Sequence, residues 1–292
     1  MHRLTTLLGV TDVTRALHEG RIPPELVTLS FTGDKEAVKR FPEAIRQERF
    51  DVTELPIITY LIAREHGFPF KLVPAVVLAR LPYQHLVQRA DQPTIQPDQL
   101  PGKSVAIRSW SVTTVAQVRD VLRYDYGIDP TAIDWISTEP PHVPEFSEPD
   151  CVRPAAPGLT PADLLLSGQA SAAILGGRTV DRAYRSLFDN TWALTRSWRA
   201  RSGGSLPVNH VVAVRASIAK DSPNLVRDLF RQLAAANAAA IAAEPDLSAM
   251  HPIGFASCRA GLQRAISMAQ EQMLIRSAPS PESLVAECLL DT

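Results

Sequence analysis

Short apolar segments alternate with helix-like segments from the start of the chain. Residues 4–10, 27–31 and 50–52 are typical of strands, and each precedes a segment with helical periodicity. Gly20 and Gly67 stand where the first and third of these helices are expected to end. A fourth run, residues 72–78, has no alternating polar positions, which is typical of a strand covered on both faces. The repeated order predicts a mostly parallel sheet with helices on its faces.

The strand–helix order is interrupted once and then begins again. The interruption is the proline-bearing segment 93–101, after which we expect strands at residues 103–107, 133–136 and 172–175. Thr160 and Pro161 form a helix start, and the acidic, proline-rich residues 138–157 predict a surface loop. The strand at residues 208–214 is expected to return to the first part of the chain, and an alanine-rich helix follows Pro223.

This organisation predicts an α/β fold with two lobes and a ligand cleft between them. The first lobe is expected to comprise residues 1–85 plus 208–292, and the second residues 90–205. Both His85 and His210 are followed by apolar β-formers, so each is expected on a strand that crosses between the lobes. Two such histidines would then face one ligand.

Charge and composition narrow the class of partner. The chain has 30 Lys and Arg against 31 Asp and Glu, and no basic block, so a small molecule is a better partner than nucleic acid. No apolar run reaches the roughly 18–20 residues of a membrane span, and the N-terminal run is too short for a signal-peptide core. The three cysteines are isolated. We therefore expect a reduced, cytoplasmic protein without a membrane partner, and a homo-oligomer is left open.

Several segments follow the order and approximate spacing of a known family. They are Thr14-Arg15-Ala16-Leu17, Leu29-Ser30-Phe31, Phe50-Asp51-Val52-Thr53-Glu54-Leu55, Arg80 with His85, Leu100-Pro101-Gly102-Lys103-Ser104-Val105, Thr113-Thr114, Tyr126-Gly127-Ile128-Asp129-Pro130, Pro207 through His210-Val211-Val212, and Pro281-Glu282-Ser283-Leu284. In these segments the chain resembles the 4,5-dihydroxyphthalate decarboxylase family, and the resemblance implies a type II periplasmic-binding-protein-like fold and decarboxylase activity. The chain differs from the family at Gln169-Ala170-Ser171, where acids are usual, and at His251 and Ile253, where aromatic residues are usual.

Three residues are candidates for catalysis. Glu54 follows a predicted strand, where open α/β sheets present groups to a ligand, although an acid at a helix start is also explained by the helix dipole. Imidazole exchanges protons near neutral pH, so His85 and His210 are the candidate proton donors. A histidine on an apolar strand is more often structural, and which of the two donates the proton stays open.

The candidate substrate-binding residues are cationic or carry hydroxyl groups. Arg80 ends an apolar strand, where a guanidinium can bind a carboxylate through two hydrogen bonds, and Arg178 follows two glycines. A helix start rich in hydroxyl groups predicts an anion site at Ser109, Ser111, Thr113 and Thr114. His251 is expected to form part of the substrate wall.

No cofactor is expected, because the chain has no GxGxxG or P-loop sequence and no HxH, HxxxH or CxxC spacing. A metal site assembled from separate loops, such as Glu54 with His85 and His210, remains an open alternative. The leading hypothesis is a cofactor-independent decarboxylase-like lyase for a small hydroxylated aromatic or cyclic carboxylate. The alternatives are a non-catalytic solute-binding protein or sensor for a small carboxylate, and a dehydratase-type lyase on the same fold.

Overall fold

The chain forms two compact units, each built around its own β-sheet. A computed structural model describes residues 1–32, 37–47, 49–176 and 182–292. One unit comprises Met1–Arg80 and Ser202–Thr292, and the other comprises Leu81–Arg201. Both units combine strands with helices, so the predicted α/β class is confirmed.

In chain order the strands are β1 (His2–Leu7), β2 (Val27–Phe31), β3 (Val52–Pro56), β4 (Phe70–Ala79), β5 (Leu86–Arg89), β6 (Ser104–Ile107), β7 (Asp134–Ser137), β8 (Val152–Pro154), β9 (Ala172–Ile174), β10 (Tyr184–Ser186) and β11 (Val208–Arg215). The helices are α1 (Arg15–His18), α2 (Phe41–Gln47), α3 (Ile57–Glu65), α4 (Thr113–Tyr126), α5 (Pro161–Leu166), α6 (Thr191–Arg201), α7 (Ala216–Asp221), α8 (Pro223–Ala243), α9 (Leu247–Met250), α10 (Phe255–Glu271) and α11 (Pro281–Leu284).

The first sheet has the strand order β2-β1-β3-β11-β4. Strand β1 pairs in parallel with β2 and β3, whereas β11 pairs antiparallel with both β3 and β4. The carboxyl ends of β1 to β4 therefore lie at the same sheet edge as the amino end of β11. Open α/β sheets bind ligands at such an edge.

The second sheet repeats this plan, with the order β10-β5-β9-β6-β7-β8. Strand β6 is parallel to β7 and β9, and β5 is antiparallel to its neighbours β9 and β10. In this sheet too, the amino end of the antiparallel strand lies beside the carboxyl ends of the parallel strands. The apolar runs on which these sheets were predicted form the buried core, including Val52, Leu55, Val105 and Ala106.

Some element boundaries differ from the prediction. The strand expected at residues 50–52 begins at Val52 and runs to Pro56, so Glu54 lies inside β3 and not at a helix start. All five residues of β3 are buried between β1 and β11, which explains why the strand extends past the acid. The segment expected as a loop at 138–157 contains the short strand β8 at the edge of the second sheet.

Two predicted helix features are confirmed. Thr160 caps α5 in a capping box with Asp163, and Pro161 is its first residue. The alanine-rich segment lies in the 21-residue helix α8. Among the described residues no helix is both long and apolar enough to span a membrane.

Candidate functional site

Polar groups within or just beyond four strands lie at the carboxyl edge of the first sheet. Glu54 lies in β3, two residues before that strand ends, and Arg80 follows the last residue of β4. His210 is the third residue of β11, whose amino end reaches the same edge. Gly9 lies two residues beyond β1. The topology thus brings together residues that are far apart in the sequence.

Glu54 and His210 form a buried hydrogen-bonded pair. His210 lies opposite Pro56 and Val212 lies opposite Glu54, so the acid and the imidazole are diagonal neighbours on one face of the sheet. The distance between Nδ1 of His210 and Oε1 of Glu54 is 2.5 Å. The two residues are 6% and 2% exposed, respectively. Such a short contact between buried polar groups is typical of a charge-assisted hydrogen bond.

The second carboxylate oxygen of Glu54 also accepts a hydrogen bond. The backbone N–H of Gly9 donates to Oε2 of Glu54 at 2.7 Å. Thr14 fixes this turn, because its hydroxyl donates to the Gly9 carbonyl at 2.7 Å and accepts from the Thr11 N–H at 2.8 Å. The β1–α1 connection therefore holds the carboxylate of Glu54 in place for His210.

The surroundings of Glu54 keep its carboxyl group ionised. Burial acts to raise its pKa, but the hydrogen bond and charge of His210, the Gly9 amide and the charge of Arg80 together hold the pKa below its usual value. An ionised Glu54 requires the proton of the contact to lie on Nδ1 of His210. The described residues offer no hydrogen bond to Nε2 of His210, whose ring also meets the ring of Phe41 edge-on at 5.3 Å between centroids.

His18 is a residue near this edge that the sequence analysis did not select. It ends the short helix α1, and its ring stacks on Phe31 with 3.9 Å between centroids. Burial lowers the pKa of His18, whereas the carbonyls of Gly9 and Leu8 and the charge of Glu54 act in the opposite direction. Its Nε2 atom is buried and has no hydrogen-bond partner among the described residues. The available sequence signal was its position at the end of the first helix, which begins soon after β1 leaves the ligand-binding edge.

In the second unit, His85 lies at the corresponding edge of the second sheet. It immediately precedes β5, is 4% exposed, and its Nδ1 atom is 2.9 Å from the Leu175 carbonyl beyond β9. Because a carbonyl only accepts hydrogen bonds, Nδ1 carries the proton. His85 is thus oriented by the backbone, whereas His210 is oriented by a carboxylate. Its catalytic role stays a prediction.

The hydroxyl-rich segment before α4 binds a carboxylate of this chain. The hydroxyl of Ser109 donates to Oε1 of Glu148 at 3.0 Å, and the N–H of Trp110 donates to the same oxygen at 2.8 Å. Ser137, the last residue of β7, donates to Oε2 of Glu148 at 2.9 Å. Ser111 is 3.2 Å from Ser109, between the hydroxyl oxygens. Two donors of this segment, the Ser109 hydroxyl and the Trp110 N–H, therefore contact a carboxylate of the same chain, and binding of a substrate anion by the segment stays a prediction.

The remaining predicted binding residues are placed as follows. Thr113 and Thr114 are buried at the start of α4, where Val112 is the N-cap residue and provides no side-chain cap. His251 is 9% exposed, its pKa is lowered by burial, and its Nδ1 atom contacts the Leu247 carbonyl at 3.2 Å. Arg178 lies outside the described residues. Roles for these residues in substrate binding stay predictions.

Two recesses in the described part of the surface lie elsewhere. One, of about 400 Å³, includes Arg64, Glu65 and Gly67 beyond the end of α3, and the other, of about 330 Å³, includes Gly102 and Asp134 at the start of β6 and β7. Both lie at the amino ends of parallel strands. We favour the carboxyl edges, since α/β sheets place ligand-binding groups there and the buried Glu54–His210 pair lies there.

Metal binding gains no support in the described part of the chain. No group of three or more His, Cys, Asp or Glu side chains there is arranged to hold a metal ion. In particular, both carboxylate oxygens of Glu54 accept hydrogen bonds from within the protein.

Comparisons with known proteins identify the fold. No protein-family model matches the sequence. A 4,5-dihydroxyphthalate decarboxylase of Comamonas testosteroni is 25% identical over 262 residues, which cover 85% of this chain and 78% of that protein. The periplasmic aliphatic sulphonate-binding protein SsuA of Escherichia coli superimposes with a TM-score of 0.61 at 14% identity, over 100% of both chains.

An enzyme is similar to this chain to nearly the same degree. A variant of the desulfurization enzyme DSZB, in complex with biphenyl-2-sulfinic acid, has a TM-score of 0.59 at 12% identity and covers 99% of this chain and 98% of its own. The protein therefore has a two-lobed, periplasmic-binding-protein-like α/β fold. This fold occurs in both solute receptors and enzymes, so the function must be argued from the site.

Proposed function

We propose that this protein is a cofactor-independent lyase that decarboxylates a small hydroxylated aromatic or cyclic carboxylate. The observation that carries the proposal is the buried Glu54–His210 pair at the carboxyl edge of the first sheet. A receptor that only holds a carboxylate does not require an imidazole oriented by a buried acid. An enzyme that must deliver a proton does.

His210 is the proposed proton donor. Glu54 holds Nδ1 and stabilises the positive charge of the imidazolium, so the second ring proton is presented on Nε2. The Gly9 N–H keeps Glu54 oriented during this exchange. Orientation of an imidazole by a buried carboxylate is a recurring arrangement in acid–base catalysis.

The proposed reaction balances without a cofactor. The proton on Nε2 of His210 bonds to the ring carbon that carries the carboxylate, and a ring hydroxyl helps to spread the positive charge. The bond between that carbon and the carboxylate then breaks, its electron pair returns to the ring, and CO₂ leaves. The products are CO₂ and a ring with hydrogen in place of the carboxylate, and His210 regains its proton from solvent.

Arg80 is the proposed carboxylate-binding residue. It follows β4 at the same sheet edge, is half-buried, and its positive charge already acts on Glu54. A guanidinium can hold a carboxylate through two parallel hydrogen bonds. The distant similarity to a 4,5-dihydroxyphthalate decarboxylase supports this substrate class.

A non-catalytic solute-binding protein is the second candidate. It is favoured by the likeness to sulfonate-binding proteins, and it would use Arg80 and the same sheet edge. A dehydratase-type lyase would also use His210. The two enzyme hypotheses and the receptor hypothesis differ in the product formed from a bound carboxylate.

The test is incubation with 4,5-dihydroxyphthalate, phthalate and related hydroxylated carboxylates, with CO₂ and organic products measured with and without a chelator. CO₂ release that His210→Asn abolishes supports the decarboxylase. Tight binding of a carboxylate without turnover of any compound in the panel supports the receptor. Loss of water without CO₂ supports the dehydratase.

A further inference from the structure

Among the described residues, Glu148 is the acidic side chain that accepts hydrogen bonds from three donors at the carboxyl edge of the second sheet. Both of its carboxylate oxygens accept hydrogen bonds, from Ser109, the Trp110 N–H and Ser137. Ser109 is 1% exposed and Ser137 is 6% exposed, so the donors are largely shielded from water. Convergence of two hydroxyls and one amide on a carboxylate is the chemistry of an anion-binding position.

The hydrogen-bond directions at this position follow from the number of protons available. Ser109 has a single hydroxyl proton, which it donates to Glu148. In the 3.2 Å contact between Ser109 and Ser111, Ser111 must therefore be the donor. The oxygen of Ser111 is left as an acceptor. At Ser111 this sheet edge therefore offers a hydrogen-bond acceptor, whereas the sequence predicted hydrogen-bond donors for an anion.

The buried guanidinium of Arg119 interacts electrostatically with Glu148. Arg119 is 1% exposed, lies over the Trp110 ring at 3.5 Å and donates to the Trp110 carbonyl at 2.8 Å. Burial lowers the pKa of Arg119 well below its usual value, and the carboxylate of Glu148 is among the groups that oppose this effect. Removing Glu148 therefore leaves the Arg119 guanidinium near the vacated donors without this carboxylate.

The segment that carries Glu148 is attached to the second sheet by hydrogen bonds near both of its ends. It connects β7 to β8, and at its start Arg108 forms two hydrogen bonds with Glu139, at 2.8 and 2.7 Å. Glu148 forms the second attachment. The connection therefore crosses the end of β6 and brings its own carboxylate to the edge.

We propose that Glu148 is a specificity-determining residue. In the first part of the proposal, Glu148 fills an anion-binding position at the edge of the second sheet and excludes a ligand carboxylate or sulfonate from it. In the last part, Ser111 is left to accept a hydrogen bond from a ligand hydroxyl. Only the role of Ser111 rests on the proposed function, because it requires a ligand that carries a hydroxyl group. The first part concerns the anion position and is independent of any reaction.

The anion position is tested with acetate as the probe. Protein labelled with ¹⁵N-tryptophan contains four tryptophans, so the backbone amide signal of Trp110 can be followed by NMR. In Glu148→Ala this signal should shift and then return saturably toward its original position as acetate is added. Wild type, and the control Glu145→Ala at an exposed site in the same segment, should not respond. Acetamide, which has the same shape without the charge, should have no effect on Glu148→Ala.

Glu148→Gln provides a second variant in case Glu148→Ala does not fold, since it keeps the shape of the side chain. Its neutral amide should be displaced by acetate at higher concentration. If the folded variant shows no saturable response of the Trp110 signal, or if wild type responds as strongly, Glu148 does not fill an anion-binding position and the proposal is wrong.

The hydroxyl part is tested by calorimetric titration with 4,5-dihydroxyphthalate and phthalate. Wild type should prefer the hydroxylated compound, and Ser111→Ala should reduce that preference about 10-fold, the value of one hydrogen bond. Equal binding of the two compounds, or binding of neither, overturns the role of Ser111. CO₂ release is measured separately, so failure of the proposed reaction is distinguished from failure of either part.

Discussion

Glu54 and His210 are 156 positions apart in the sequence, yet Oε1 of the acid lies 2.5 Å from Nδ1 of the imidazole. The pair exists because β11 inserts antiparallel between β3 and β4 and places the two side chains on one face. Either residue alone has an ordinary structural explanation. Together, buried and at a ligand-binding edge, they form a group able to hold and deliver a proton.

We predict that Glu54→Gln lowers turnover more than it weakens substrate binding. An amide oxygen can still accept from His210, but it provides no negative charge for the imidazolium. We expect kcat to fall by about 10²-fold or more, with a smaller change in KM, in a steady-state CO₂-release assay. The matched control is Glu65→Gln, because Glu65 is an exposed acid at the end of α3. Equal loss in both variants would contradict the role of Glu54.

Stability should depend on pH in two separate windows. The folded-state pKa of Glu54 is lowered, so its contribution is complete above the unfolded value of about 4.3 and is lost as pH falls through the folded pKa. The pKa of His18 is also lowered, so its contribution is lost as pH falls below about 6.5.

Both effects are measured by urea unfolding of wild type, Glu54→Gln and His18→Gln. The pH range, about 7.5 to 3, includes the ordinary pKa values of the Glu and His side chains. His18→Gln should flatten the decline in unfolding free energy in the upper window, and Glu54→Gln should flatten it in the lower one. Variants with the same pH slope as wild type in those windows would contradict these assignments.

We predict that Arg80→Ala weakens carboxylate binding by roughly 1–3 kcal/mol, or about 5- to 150-fold in Kd, since Arg80 is half-buried and partly screened by solvent. Arg80→Lys should recover part of the affinity, because it keeps the charge and loses the paired hydrogen bonds. Titration calorimetry with 4,5-dihydroxyphthalate provides the measurement. An unchanged Kd in folded Arg80→Ala would assign Arg80 a structural role.

Gly261 should be sensitive to any side chain. A Cβ atom at this position of α10 would lie 2.7 Å from Cγ2 of Val208, the first residue of β11. We expect Gly261→Ala to lower the free energy of unfolding by about 1–3 kcal/mol, and to lower turnover by shifting the strand that carries His210. In urea unfolding, the double variant Gly261→Ala with Val208→Ala should recover part of the loss. No recovery would show that the contact with Val208 is not the cause.

The sequence predicted the fold class because the apolar runs and the helix boundaries carry local signals. Thr160 with Pro161, for example, specifies the start of α5 within three residues. Glu54 and Arg80 were also selected from the sequence, because each was expected at the end of a strand, where open α/β sheets bind ligands. His210 was selected because it was expected on a strand that crosses between the lobes and because imidazole exchanges protons near neutral pH.

The contacts of these residues could not be predicted from the sequence. The Glu54–His210 hydrogen bond depends on the register of β11 against β3, which periodicity alone does not fix. Glu148 was missed because it lies in a segment without a periodic pattern, and its three donors lie just after β6 and at the end of β7. Of the hydroxyls that suggested a ligand site, that of Ser109 is thus explained by a residue 39 positions further along the chain.

The proton-delivery role of the Glu54–His210 pair is tested most directly by turnover of His210→Asn on 4,5-dihydroxyphthalate, or on another carboxylate of the panel that wild type turns over. CO₂ release should fall by about 10²- to 10⁴-fold while the Kd measured by calorimetry changes less than 10-fold, and the exposed-site control His66→Gln should match wild type. Near-parental CO₂ release by correctly folded His210→Asn would contradict the proposed role of the pair.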